Sequence, residues 1–205
     1  MTLGLFVEPY GRHVAAWRHP GATRLAGVDF GYYRGLAQVA EAAKLHFMFI
    51  ADTNNVWENM DFFSRSDRGA VMDPLQLLPA LAISTERIGL IATTSTTYTQ
   101  PFHVARTFAS LDQLSNGRAG WNLVTSMFAA EAQNFSLPTP VPHADRYARA
   151  EEFVDVVRGL WSSWDEDAFL HDQDSGQFFD PAKLHVLKHV GPHFSVRGPL
   201  NVPPS

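Results

Sequence analysis

The 205-residue chain contains no cysteine, which excludes disulfide scaffolds, thiolate metal sites, iron–sulfur clusters and cysteine nucleophiles. It also lacks a surplus of positive charge. Sixteen Lys and Arg stand against 21 Asp and Glu, a formal net charge of −5, so nucleic acid, which is met by a basic face, is not an expected partner. No apolar run approaches the ~20 residues that a membrane helix needs. The opening Met1-Thr-Leu-Gly-Leu-Phe-Val-Glu-Pro9 has neither the basic start nor the small-residue cleavage site of a signal peptide. The expectation is a soluble cytoplasmic protein without a membrane partner. Two nucleotide signatures, Gly-x-Gly-x-x-Gly and Gly-Lys-Ser/Thr, are missing, and Ser126 and Ser195 lack the Gly-x-Ser-x-Gly frame of a nucleophile elbow.

What is present is 45% hydrophobic and 18% charged residues, enough for one sizeable globular core. Leu3 to Val7 reads as a strand. Asp29 can cap a helix reaching about Leu45, with Tyr33, Leu36, Ala37, Ala40 and Ala43 on one stripe. Phe47 to Ala51 is a continuous apolar run of the kind buried on both faces of a sheet. Asp73-Pro74 starts a second helix, in which Pro79 should cause a kink or a delay. Ile88 to Thr94 is a third strand. Pro101 opens a third helix with Val104, Phe108, Leu111 and Leu114 at helical spacing, stopped by Asn116-Gly117, and Arg118 to Thr125 is a fourth strand. Ser136 to Pro142 reads as a loop. Asp145 is expected to cap an amphipathic helix running to Trp164, with Tyr147, Ala150, Val154, Val157 and Trp161 inward. From Asp165 onward the sequence shows little periodicity.

The order β-α-β-α-β-α-β without tight hairpin signals predicts a parallel α/β sheet. Pattern alone leaves both a barrel and an open doubly wound sheet standing. Four strands are too few for a closed eight-stranded barrel, so the chain is expected either to pair with something else or to be part of a longer protein.

Sites in parallel α/β folds gather beyond the carboxyl ends of the strands. Those ends carry Phe6 and Glu8, then Asp52, then Thr93 and Thr94, then Asn122 and Thr125. Small polar groups without clustered charge suit a neutral heteroaromatic ring system bearing carbonyl and N–H groups better than a divalent metal. The alternative is that these are strand caps and turn residues. His143 and Tyr147 lie four apart at a helix entrance, where side chains can meet a phosphate; a capping histidine and an interface tyrosine would look the same. Trp17, in a loop after the first strand, is the aromatic expected to wall the pocket. His185, His189 and His193 have the spacing of shared ligands, but Gly191-Pro192 breaks any helix there, and no metal site is expected.

Several segments together carry a resemblance: Ala16-Trp-Arg-His-Pro20, Ile50-Ala-Asp52, Ile91-Ala-Thr-Thr-Ser-Thr-Thr-Tyr98, Pro101-Phe-His-Val-Ala-Arg106 and Leu111-Asp-Gln-Leu-Ser-Asn-Gly-Arg118. Gly120-Trp-Asn-Leu-Val-Thr-Ser126, Ala132-Gln-Asn-Phe135, Arg146-Tyr-Ala-Arg-Ala-Glu-Glu-Phe153 and Leu160-Trp-Ser-Ser-Trp-Asp165 continue it. The sequence resembles the nitrilotriacetate and dibenzothiophene-sulfone monooxygenase group of the bacterial-luciferase-like flavin enzymes over essentially its whole length. The resemblance implies a (β/α)8 TIM barrel, of which residues 1–205 would be a single domain carrying the first four βα units plus an insertion and stopping before the fifth strand.

It further implies a monooxygenase using reduced FMN (FMNH2) and O2 on a small organic substrate through a flavin C4a-peroxy species, with the flavin supplied by a separate NAD(P)H:flavin reductase. A homo-oligomer, dimer or tetramer, is implied for the full-length form. Carried over by position, Asp52, Thr93 or Thr94, His143 and Tyr147 are the FMN-binding candidates. Asn122 is implied near the flavin and the Trp17 loop near the substrate, and these two are the catalytic candidates. Two rivals remain: a catalytically incomplete flavin-binding or interacting half barrel, and a metal-dependent hydrolase using the histidine-rich tail.

Overall fold

In the computed structural model, which describes residues 1–56 and 58–203, four short apolar runs make one parallel sheet in chain order: β1 (Gly4–Val7), β2 (Phe47–Ile50), β3 (Gly89–Ser95) and β4 (Ala119–Val124). Parallel neighbours require crossovers. These are supplied by α1 (Phe30–Ala42), then α2 (Met60–Phe63) and α3 (Pro74–Ala82), then α4 (Pro101–Ser115). Beyond β4 come α5 (Ala129–Asn134) and α6 (His143–Trp161).

Strand alternation divides the sheet into two unlike faces. Val7, Met48, Ile50, Leu90 and Ala92 are buried with Tyr33, Leu78, Leu81, Phe108, Phe153 and Leu160 in the core, each larger aliphatic or aromatic side chain gaining roughly 1.5–3 kcal/mol on burial. On the other face, one register row runs Phe6, Phe49, Ile91, Gly120. Phe6 stacks on Phe49 with centroids 5.0 Å apart, yet remains 41% exposed.

The starts and stops follow the local chemistry. Asp29 Oδ1 accepts the Tyr32 N–H at 3.2 Å and Asp73 Oδ1 the Leu75 N–H at 2.7 Å, filling donors that a helix start leaves open. Asn116, at φ 61°, ends α4. Arg118 then ties three elements together: its guanidinium donates to the carbonyls of Ala82, Thr85, Ile88 and Ser115 and to Thr85 Oγ1, at 2.5–3.1 Å.

Several expectations are corrected. Pro79 does not delay α3, which starts at Pro74 and runs to Ala82; one missing N–H is tolerated where Leu77, Leu78 and Leu81 anchor the helix in the core. Leu114 is 56% exposed. Asp145 does not cap α6. Pro142 is the N-cap and accepts the Arg146 N–H at 3.0 Å, leaving Asp145 in the first turn. The inward face of α6 is Ala150, Phe153, Val156, Val157 and Leu160, whereas Tyr147 and Trp161 are exposed.

The aperiodic tail holds two antiparallel hairpins, β5 (Phe169–Asp172) with β6 (Gln177–Phe179) and β7 (His189–Val190) with β8 (Ser195–Val196). It folds back on α6. Glu152 lies 2.8 Å from His189 Nε2 and accepts the His193 and Phe194 N–H groups at 2.9 and 3.0 Å. Ser163 Oγ accepts the Leu200 N–H at 2.9 Å. No described helix is long and apolar enough to cross a membrane.

Candidate functional site

The carboxyl ends of β2 and β4, the turn into α5 and the first turn of α6 enclose a hollow of about 510 Å³. Asp52, Thr125, Ser126, Glu131, His143, Arg146 and Tyr147 supply its polar lining, with Leu123, Met127 and Phe128 among the apolar part. Asp52 is separated from the end of β2 by one residue, so its position is set by the sheet. Burial, then the charge of Asp73, push its carboxyl up to about 6 against the Thr53 N–H, and Glu131 adds to the rise.

Glu131 is 2% exposed on α5. Its Oε1 accepts from the Asn54 N–H at 3.3 Å, Asn54 Nδ2 at 3.1 Å and Ser126 Oγ at 2.8 Å, while Ser126 Oγ lies 2.8 Å from Ser95 Oγ. One carboxylate therefore fastens the loop after β2 to the end of β4, the two walls of the hollow. Ser126 reaches it from a left-handed backbone at φ 55°, a conformation few non-glycine residues adopt.

His143, Arg146 and Tyr147 share one face of the first turns of α6. His143 and Tyr147 stack with ring centroids 4.5 Å apart. Arg146 donates from Nη1 to the Val141 carbonyl at 2.9 Å, but its Nε is buried without a hydrogen-bond partner. A buried guanidinium donor left open at the start of a 19-residue helix fits an anionic group there, since the helix dipole and the guanidinium favour the same charge.

Thr93 and Asn122 are register partners. Asn122 Nδ2 donates to Thr93 Oγ1 at 2.9 Å, and Thr93 Oγ1 donates to the Ile50 carbonyl at 2.8 Å. Neither lines the hollow; both belong to the sheet face that carries Phe6, Phe49 and Ile91. Thr94 alternates to the helix side, where its carbonyl accepts Trp121 Nε1–H at 3.2 Å. Trp17 lies apart from the hollow: it donates from Nε1 to the Arg65 carbonyl at 3.0 Å and borders two separate clefts of about 470 and 380 Å³. The structure thus brings Asp52, His143 and Tyr147 together, pairs Thr93 with Asn122 on the sheet outside the lining of the hollow, and leaves Thr94 and Trp17 elsewhere.

Sequence reasoning missed Glu131 and Arg146. Arg146 was legible as the i+3 neighbour of His143. Glu131 had one weak signal, an acid in an otherwise small-residue segment after the fourth strand. In the tail, His185 lies 2.9 Å from Asp165 and His189 pairs with Glu152; among the described residues no group of three or more His, Asp and Glu could hold a metal ion.

The sequence pattern of the luciferase-like monooxygenases matches residues 12–205. The chain is 52% identical over 202 residues to N-acetyl-S-(2-succino)cysteine monooxygenase of Bacillus subtilis (strain 168), covering 98% of this chain and 45% of that protein. It is 44% identical over 211 residues to nitrilotriacetate monooxygenase component A of Aminobacter aminovorans, covering 99% and 47%. Among solved structures, a riboflavin lyase crystallised with modified FMN and riboflavin superimposes with a TM-score of 0.86 at 37% identity, covering 100% of this chain and 47% of that one. The chain spans about half the length of the curated relatives it matches, and its four-stranded parallel sheet corresponds to part of their TIM barrel. The chain belongs to the bacterial luciferase-like monooxygenase family, with the nitrilotriacetate and dibenzothiophene-sulfone enzymes among its relatives.

Proposed function

We propose that the protein acts as a reduced-FMN-dependent monooxygenase on a small organic substrate, with flavin delivered by a separate NAD(P)H:flavin reductase. The observation that carries this is the hollow at the strand ends in which Asp52, His143, Arg146 and Tyr147 converge. When bound there, reduced FMN supplies the electrons that let one atom of O2 enter the substrate while the other leaves as water. The chain's own residues bind and orient it. His143, Arg146 and Tyr147 take the phosphate, Arg146 Nε acting as the open donor. Asp52 and the Thr93–Asn122 pair take the ring and ribityl side, with Asn122 held by Thr93.

Asp52, whose carboxyl is raised to about 6, accepts hydrogen bonds at neutral pH and becomes a donor as well only in mildly acidic solution. Met127 and Phe128 contribute apolar wall that limits water. Residues 1–205 form one luciferase-like unit within a cytoplasmic homo-oligomer.

The test is turnover with isotopically labelled O2, FMN, NADH, a flavin reductase and a panel of small organic substrates. Labelled oxygen in a substrate-derived product is expected. Flavin binding with no substrate-dependent incorporation would replace the monooxygenase reading by that of a flavin-binding protein without oxygenation.

A further inference from the structure

We infer that Met127 is an oxidation site built into the wall of the hollow: its thioether takes up one oxygen atom, as a sulfoxide, when reduced flavin and O2 meet there without a substrate to receive it. The inference rests on the function proposed above and adds a modification site to it.

The chain has five methionines and no cysteine, so thioethers are the only sulfur it offers an oxidant. Met48 is fully buried and Met72 packs against the core. Met1, Met60 and Met127 are exposed, at 103%, 61% and 64%. Of the five, Met127 alone lines the hollow that holds Asp52, His143 and Arg146, whereas Met60 lies on α2 outside that lining.

The turn from β4 into α5 fixes Met127 in this place. Ser126 before it, at φ 55°, is held through its hydroxyl by Ser95 Oγ and Glu131 Oε1, each at 2.8 Å, and Phe128 after it is the N-cap of α5. Met127 also borders a cleft of about 440 Å³ beside Asn55 and Glu58, so its side chain is a wall of both spaces.

Thioether sulfur is soft and polarisable, and among the side chains lining the hollow it is the one an electrophilic oxygen oxidises most readily. The balance is that of the proposed turnover with sulfur as the acceptor. The O–O bond breaks, and one oxygen bonds to sulfur through a sulfur lone pair. The other leaves as water, with two electrons and two protons coming from reduced flavin and two electrons from the sulfur. A sulfoxide puts a polar, chiral group into wall that Met127 and Phe128 otherwise keep apolar. Oxidation therefore admits water and weakens flavin binding.

The experiment supplies wild-type protein with FMN, NADH, a flavin reductase, catalase and isotopically labelled O2, without organic substrate, and reads each methionine by peptide mass spectrometry. A parallel sample receives hydrogen peroxide alone, and FMN is titrated calorimetrically before and after turnover. Label at Met127 should exceed that at Met60 by about tenfold under turnover, whereas peroxide alone should oxidise the two within about threefold of each other, as their like exposure requires. FMN affinity should fall about threefold or more once Met127 is labelled, and Met127→Leu taken through the same turnover should keep the affinity it started with. The same preference for Met127 under peroxide alone, undiminished FMN affinity after labelling, or an equal loss in Met127→Leu would overturn the proposal. Equal label at Met127 and Met60 with saturable FMN binding would remove this site and leave the flavin reading; equal label without FMN binding would remove both.

Discussion

At the residue scale, Asp52 is half-buried near two other carboxylates, and the consequence is a stability that depends on pH. In the folded protein its carboxyl holds a proton up to about 6, whereas the ordinary value is 3.8. Between those values the native state binds more protons than the unfolded chain, so this group's contribution falls as pH rises through that window and its penalty is complete above about 6. Asp52→Asn keeps the acceptor for the Thr53 N–H and removes the charge. Its urea midpoint should match wild type below pH 4 and exceed it increasingly up to pH 6, then stay level; parallel curves across the range would show that Asp52 carries no such shift.

Glu131 is a structural tie, its Oε1 accepting three hydrogen bonds. Glu131→Ala leaves the Asn54 and Ser126 donors without their acceptor and should cost roughly 2–4 kcal/mol by urea denaturation, while Glu131→Gln, which keeps an acceptor oxygen, should cost less than half of that. Asp52, His143 and Tyr147 were legible because a strand tip and a helix entrance are places where sequence position implies spatial position. Glu131 was not, because its six-residue helix is too short for periodicity to show which way it points.

At the element scale, the strands and the first helices could be read because caps and continuous apolar runs are local signals. The phase of α6 could not. Two stripes compete along it, and the one containing Tyr147 and Trp161 presents larger side chains. Packing chooses the other, placing Phe153 between Trp121 at 5.8 Å and Phe194 at 5.5 Å. Tyr147 stays exposed because it stacks over His143, and Trp161 rests at the helix edge, donating to the Ala105 carbonyl at 3.0 Å. The tail hairpins escaped notice because strands of two to four residues leave no alternation to detect.

Arg118 ties several elements together. Its five hydrogen bonds join the end of α3 and the starts of β3 and β4. Arg118→Met fills a similar volume but strands four carbonyls, and a loss of roughly 3 kcal/mol is expected in chemical denaturation. Arg118→Lys, which reaches fewer acceptors, should fall between.

At the scale of the whole molecule, the sheet has one face sealed by helices and one face partly open, and the candidate site lies at the end where both meet α6. The parallel order was legible because crossover helices leave no room for hairpins. The choice between barrel and open sheet was not legible in the pattern, since closure depends on strands that four βα units do not contain; the structural neighbours, at TM-scores up to 0.88, supply it. The central claim is that this end holds FMN by its phosphate. Calorimetric titration of wild type and Arg146→Met with FMN and with riboflavin, which lacks the phosphate, tests it most directly. The account predicts saturable FMN binding, riboflavin weaker by about tenfold or more, and loss of that difference in Arg146→Met. No saturable FMN binding, equal affinity for riboflavin, or a difference untouched by Arg146→Met would contradict it.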